Sequence, residues 1–495
     1  MHIPFNNRYV ALGELFYVKT GPSPVVDPAL IRFNYELAES LGLSASDLDP
    51  ASAAALFSGN IIPDGAEPLA MAYAGHQFGG FNPQLGDGRA ILLGDIDAPS
   101  GCSYQIHLKG SGQTYFSRNG DGRSALGPVL REYLVSEAMV KLQVPTTRAL
   151  AAVTTGEEVA RERLLPGGII TRVATSFVRV GTFQYFSARG DVDAIKKLAD
   201  FAVERNYPEA NDTENTYVSL LQGVVDSQAA LIAQWMQLGF IHGVMNTDNM
   251  SVSGETIDYG PCAFMDHYQH ERVFSSIDRG GRYAYNNQPS IGLWNLTRFA
   301  ETLLPLLAEQ SQAAVEIAQD ILGSYVETYQ RAWLEGMRSK CGLFRGSAET
   351  AQQDKALIDD LLDTMAANNA DFTLTFYYLS KLSAQPSEQD HEVRALFDKP
   401  TQFDDWTVKW RKRLSDDDCS VETRQKKMRA VNPVYIPRNH QIEAAIRAAE
   451  DRNDFSVFHE LHEVLQNPYV QQKGRDRYML PPEPDEVVTQ TFCGT

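Results

Sequence analysis

The stretch Ile241-His242-Gly243-Val244-Met245-Asn246-Thr247-Asp248-Asn249-Met250, followed by Ile257-Asp258-Tyr259-Gly260, puts an Asp-Asn pair and an Asp-x-Gly ten residues apart around one turn. The Asp-Asn pair reads as loop, a short strand follows, and the Asp-x-Gly closes the turn. Two clusters of acceptor oxygens placed this way suit a divalent cation held against a nucleotide phosphate. Magnesium and manganese take hard oxygen ligands, few of them from protein and the rest from phosphate and water. Asn249 offers an amide oxygen and Asp258 a carboxylate, which leaves Asp248 to orient or deprotonate an incoming hydroxyl. Alone, an Asp-Asn pair is more often a turn or a helix cap, so the residues upstream decide between the two.

Upstream lies a glycine-rich region. Gly86-Asp87-Gly88-Arg89, Lys109-Gly110-Ser111-Gly112-Gln113 and Asn119-Gly120-Asp121-Gly122-Arg123 are tight polar turns whose glycines let backbone amides approach an anion. Lys109 ends an expected strand over 104–109, paired through the turn Asp97-Ala98-Pro99-Ser100-Gly101 with another over 89–96. A lysine so placed is a good phosphate ligand, although no Walker A motif is present. A helix is expected over 126–142, with Pro128 in its first turn and Leu130, Leu134, Ala138 and Leu142 at helical spacing. Glu132 and Glu137 on it are both candidate partners for Lys109, and spacing alone leaves the choice open.

Arg172 and Arg179 fall in a strand-like stretch over 168–187. Seven residues apart, they would face opposite ways in a regular strand. A bulge or turn near Ala174 or Ser176 is needed for both to reach one ligand. Tyr73-Ala74-Gly75-His76-Gln77-Phe78-Gly79-Gly80-Phe81 reads as tightly turned backbone against packed rings. His242 is expected to pack or hydrogen-bond so as to hold the Asp-Asn loop, and His267 and His270 to lie at the surface. Neither His76 nor His242 has a second histidine at metal spacing.

The 495 residues, 43% of them hydrophobic, are enough for two or three subdomains. A net charge of -19 argues against nucleic acid as a partner. Five cysteines, widely spaced and without a Cys-x-x-Cys, argue against a structural zinc site and fit a reducing compartment. With neither a secretory signal nor an apolar run of membrane length, a cytoplasmic protein that does not enter membranes, and a monomer, is expected. Helices are expected near 192–204, 218–238 and 296–335, the second ending at Gly239, and again through 350–470. An extended tail is expected from Pro481-Pro482-Glu483-Pro484. The order of elements predicts an α+β chain: an N-terminal extension over 1–66, a mixed strand-helix lobe over 67–190, a mainly helical lobe over 191–345, and a helical extension and tail over 346–495.

A strand lysine, a helix glutamate, then Asp-Asn and Asp-x-Gly resemble the two-lobed protein-kinase arrangement, although the His-Arg-Asp of kinases is absent. Longer strings are more specific. Tyr73 to Gly79, Leu85-Gly86-Asp87-Gly88-Arg89-Ala90, Leu108 to Thr114, Ser117 to Arg123, His242 to Asn249 and Asn432-Pro433-Val434-Tyr435-Ile436-Pro437-Arg438-Asn439-His440 resemble the selenoprotein O (YdiU) family over nearly the whole chain.

The resemblance implies a kinase-like fold that moves AMP from ATP, or in some bacterial members UMP from UTP with manganese, onto Ser, Thr or Tyr hydroxyls of protein substrates, releasing pyrophosphate. It assigns Gly86, Gly88, Arg89, Lys109, Asp121, Gly122, Arg172, Arg179 and Asp258 to the nucleotide. Glu132 braces Lys109, Asn249 and Asp258 bind Mg2+ or Mn2+, and Asp248 is the proton acceptor. Cys493 stands where eukaryotic members carry selenocysteine. Some bacterial members pair that cysteine with one beyond the Asp-x-Gly; here the corresponding Arg272-Val273-Phe274-Ser275-Ser276 has none, and Cys262 is nearby but in a different position, which makes a Cys262–Cys493 bridge a weak expectation. The alternatives to AMP transfer are a kinase moving the γ-phosphate and a non-catalytic nucleotide-binding pseudokinase scaffold.

Overall fold

The structure, a computed structural model, describes residues 3–44, 48–346 and 348–492. Its N-terminal part is built on an antiparallel sheet in the order Tyr17–Lys19, Leu69–Met71, Ala90–Asp97, Ser103–Lys109, Leu164–Ala174, Arg148–Ala160, Ala29–Phe33. Ser124–Ala125 adds a short eighth strand beside Leu164–Ala174. The expected hairpin of 89–96 with 104–109 is present as Ala90–Asp97 paired with Ser103–Lys109. Residues 17–33, read from sequence as part of an extension, supply both edge strands of this sheet. Their short, mixed pattern lacks the alternation that marks a strand from sequence.

The helix Leu126–Lys141 crosses the sheet and is buried on almost every side, including Arg131, Glu132 and Glu137. Its second cover comes from far along the chain, in the helices Asn439–Arg452 and Ser456–Leu465. Tyr133 meets Phe458 edge-on at 5.7 Å, and the Gly127 N–H donates to Glu450 at 3.0 Å. A Cβ on Gly127 would stand 2.9 Å from the Ile446 side chain, so glycine is what lets these helices approach.

The C-terminal part is helical. Thr216–Leu238 begins at Asn215, whose side chain accepts from the Tyr217 and Val218 N–H groups, and ends at Gly239 in the left-handed conformation, φ 69°. Phe240–Ile241 then pairs with Ala263–Phe264, so the whole Asp-Asn to Asp-x-Gly segment is a loop closed at its base by two short strands. The short strand expected inside that segment is replaced by isolated bridges, Ser251 to Arg179 and Thr256 to Thr146.

Two further expectations are corrected. The strand-like stretch over 168–187 is strand only to Ala174, and Val180–Ser187 is a helix. Val180, Phe183 and Phe186 recur at helical spacing in the core, a signal masked by their β-favouring side chains. The helix expected near 296–335 is two, Gln288–Leu307 and Ser311–Cys341, with Pro305 in the last turn of the first. Beyond Pro481 the chain returns to the loop region. The Thr491 N–H donates to the Phe274 carbonyl at 2.7 Å, and the Ser276 N–H donates to that of Thr491 at 3.0 Å. Among the described residues no helix is long and apolar enough to cross a membrane.

Candidate active site

A cleft of about 770 Å³ runs between the sheet and the Asp-Asn loop, within the size range of nucleotide and cofactor pockets. Gly86, Gly88, Arg89, Lys109, Asp121, Gly122, Arg172, Arg179, Asp248, Asn249 and Asp258 all line it.

Its floor is a buried charge network. Lys109 pairs with Ile170 across the sheet and His107 with Arg172. The two-residue period therefore puts Lys109 and Arg172 on one face, towards the helix Leu126–Lys141. There Glu132, 3% exposed, lies 2.7 Å from the Lys109 Nζ and 2.5 Å from the Arg172 Nε. Glu137 faces the other way. It accepts from Arg148 at 2.9 and 3.0 Å, from Asn34 at 2.8 Å and from the Ala149 N–H at 2.8 Å.

Arg179 reaches the same floor by a different route. The strand ends at Ala174, the chain turns, and Arg179 sits immediately before the helix Val180–Ser187, with its N–H donating to the Thr182 hydroxyl at 3.1 Å. The turn that alternation demanded is thus present. Its guanidinium donates to the Asp248 carbonyl at 2.8 Å, contacts Asp258 at 3.0 Å and lies over the Tyr73 ring. Arg172 also contacts Asp258, and Lys109 stands 3.4 Å from it. Burial works against a charged Asp258, but Arg172, Arg179 and Lys109 outweigh it and hold the carboxyl well below the usual range. Asp258 itself takes φ 62°, which bends the chain so that its carboxylate turns into the cleft.

Asp248 is in a different electrostatic position. It is 7% exposed, and burial pushes its carboxyl up to about 6 despite Arg179. The same cleft therefore holds one carboxylate kept charged and another poised near neutrality, a separation typical of sites that divide binding from proton transfer. Asn249 donates its amide nitrogen to the Val244 carbonyl at 3.0 Å, an orientation in which its amide oxygen could serve a cation. Asn249 and Asp258 together offer the small set of hard oxygens that magnesium or manganese accepts. No cluster of three or more His, Cys, Asp or Glu suited to a metal occurs among the described residues.

The glycine turns close the rim. The Gly112 N–H donates to the Gly122 carbonyl at 3.0 Å. Gly122 has φ 67°, and a Cβ there would lie 2.1 Å from the Gly112 carbonyl oxygen. At Gly86, φ 73°, a Cβ would overlap the Phe116 ring. Asp121 accepts from Arg161 at 2.7 and 3.1 Å. Sequence reasoning missed Arg161, which lies in a polar stretch without a motif. It also left Asp87 without a role, although a lone carboxylate between two glycines was visible. Asp87 is buried, accepts from His107 at 3.2 Å and lies 3.8 Å from Arg179.

His242 is buried behind the loop. It donates from Nε2 to the Ile257 carbonyl at 2.9 Å and accepts the Val244 N–H at Nδ1, 3.3 Å, tying the two ends of the segment as expected. His267 and His270 are at the surface. Cys262 is a buried thiol pushed up to about 12 by burial, and the bridge considered for it falls on a partner that is not described. Cys493 lies outside the described residues.

The family model described as protein adenylyltransferase SelO matches residues 1–466. The chain belongs to the SelO family. SelO-family relatives named protein nucleotidyltransferase YdiU include those of Rhodopseudomonas palustris (strain BisB5) and Bradyrhizobium diazoefficiens, each 56% identical over 495 residues and covering 100% of both chains. The protein of that name from Rhizobium johnstonii is 55% identical over 492 residues, 99% of this chain and 97% of its own. As a SelO-family protein the chain is a nucleotidyltransferase.

Proposed function

We propose that the protein is a two-lobed, kinase-like enzyme that transfers AMP from ATP to Ser, Thr or Tyr hydroxyls of other proteins and releases pyrophosphate. The observation that carries this reading is the convergence of Lys109, Arg172 and Arg179 on Asp258, beside a second carboxylate, Asp248, with an elevated pKa. Three fixed cations around one point are suited to the phosphates of a nucleotide and to the charge that gathers on departing pyrophosphate.

In this mechanism Asp248 accepts the proton of the acceptor hydroxyl. The hydroxyl oxygen forms a bond to the α-phosphorus, and the bond from that phosphorus to the oxygen bridging to the β-phosphate breaks. Lys109, Arg172 and Arg179 stabilise the negative charge that moves to the leaving group. Glu132 keeps Lys109 and Arg172 extended towards it. Gly86, Gly88 and Gly122 let the backbone close on the phosphates, and Arg89 and Asp121 lie at the same rim. Asn249 and Asp258 would hold Mg2+ or Mn2+, which supplies charge neutralisation at the reacting phosphate.

Incubation with ATP labelled separately at the α and γ positions tests the reading, with UTP run in parallel. Label retained on protein from the α position is expected. Retention only from the γ position would overturn AMP transfer in favour of a kinase.

A further inference from the structure

None of the nucleotide and metal roles described above falls on the long motif Tyr73 to Phe81. Gly75–Gln77 pairs with Gly80–Asn82 as a small hairpin, turned through Phe78 at φ 52° and Gly79 at φ 85°. It lies against the Asp-Asn loop through three successive residues. The His76 N–H donates to the Thr247 hydroxyl at 2.7 Å, the Gln77 side-chain amide to Asp248 Oδ2 at 3.2 Å, and the Phe78 N–H to Asn246 Oδ1 at 3.1 Å.

The contact is reinforced from behind. The Thr247 hydroxyl donates to Gln184 Oε1 at 2.6 Å, and Gln184 Nε2 donates to His76 Nδ1 at 2.8 Å, closing a ring from hairpin to loop to helix. The Asp248 carboxylate rests on Gly75. A Cβ at Gly75 would stand 2.4 Å from Asp248 Oδ1 and 2.9 Å from its Cγ. Oδ1 is buried without a hydrogen-bond partner among the described residues, so packing at Gly75 and the Gln77 amide at Oδ2 are what orient the carboxylate.

We propose that this hairpin is a positioning element for Asp248, with Gln77 as the positioning residue. The inference rests on the reading of Asp248 as proton acceptor. A carboxylate held in one rotamer before the acceptor arrives spares the reaction that ordering step. A neutral amide suits the task. It orients the carboxylate by one hydrogen bond, whereas a lysine or arginine would form an ion pair with it and weaken it as a base. Gly75 completes the device, since any larger residue would displace the same carboxylate.

The test compares Gln77→Met, which keeps length and loses the donor, with Gly75→Ala, which keeps the donor and adds the obstructing methyl. Transfer is followed with α-labelled ATP at saturation, onto casein and onto the chain itself, and ATP affinity by calorimetry. Both variants are expected to lower kcat by about 10- to 100-fold. The ATP dissociation constant should stay within about twofold of the parent, which separates loss of positioning from loss of the pocket. An unchanged kcat in Gln77→Met, or ATP affinity falling in step with kcat in both variants, overturns the proposal. Undiminished transfer by Asp248→Ala would instead remove the proton-acceptor reading itself, whatever the hairpin variants do.

Discussion

Glu132 and Lys109 form a 2.7 Å ion pair at the bottom of the cleft, with Glu132 almost wholly buried. The same carboxylate touches Arg172, so one helix residue sets two of the three cations that reach Asp258. Glu132→Gln leaves both cations without their buried counter-charge. A loss of about 3–5 kcal/mol in unfolding free energy is expected, the usual cost of breaking a buried pair from one side. ATP affinity should fall as well. Glu137→Gln, which breaks the pairing with Arg148 instead, should destabilise the fold while sparing ATP affinity. Denaturant unfolding and calorimetry on the two variants separate these outcomes.

Asp258→Ala removes the carboxylate on which Lys109, Arg172 and Arg179 converge. Metal-dependent transfer should be abolished. Binding of free pyrophosphate without metal should instead tighten, by about tenfold, because three cations lose their internal anion. Calorimetric titration with pyrophosphate in the presence of a chelator checks the sign.

Gly122→Ala places a methyl against the Gly112 carbonyl at a left-handed φ. The two rim turns must separate. ATP affinity is expected to weaken about tenfold or more, with little change in melting temperature, since the strain of roughly 1–3 kcal/mol is local. Nucleotide titration beside thermal unfolding measures both effects.

Lys340 supplies a pH test far from the cleft. It is buried at the end of the helix Ser311–Cys341, over the rings of Phe376 and Phe372, and among the described residues no carboxylate pairs with it. Burial pushes its ammonium down to about 7. The unfolded chain keeps this lysine protonated up to about pH 10.4. Between about pH 7 and 10 the unfolded state therefore binds the extra proton, and the contribution of this group to stability rises with pH. Lys340→Met should stabilise the protein near pH 7, by up to about 4 kcal/mol, and should flatten the rise above it. Denaturant midpoints at pH 7 and pH 9 for parent and variant decide the matter.

Much of this arrangement was legible in the sequence because its signals are local. The Lys109 hairpin, the helix carrying Glu132 and the Gly239 stop before the Asp-Asn loop follow from alternation, helical spacing and one left-handed glycine. Arg179 was harder. Its β-rich neighbours read as continuous strand, and only the need to bring two arginines to one face pointed to a turn. Glu132 and Glu137 could not be separated by spacing, because a helix buried all round has no solvent face to exclude one of them. Arg161 and the hairpin contacts of Gln77 were invisible, since each depends on a partner brought close only by the fold.

The Thr491 hydroxyl donates to the Pro261 carbonyl across a separation of 230 residues. Pro261 follows directly on the Asp258 turn, so the loop gains this brace from a part of the chain made much later. At a synthesis rate of about 5–20 residues per second, roughly 10–50 seconds pass between the two. A chain still on the ribosome during that interval has its Asp248 and Asp258 in hand but not yet this last brace on the loop. Timing during translation is thereby written into the position of one threonine.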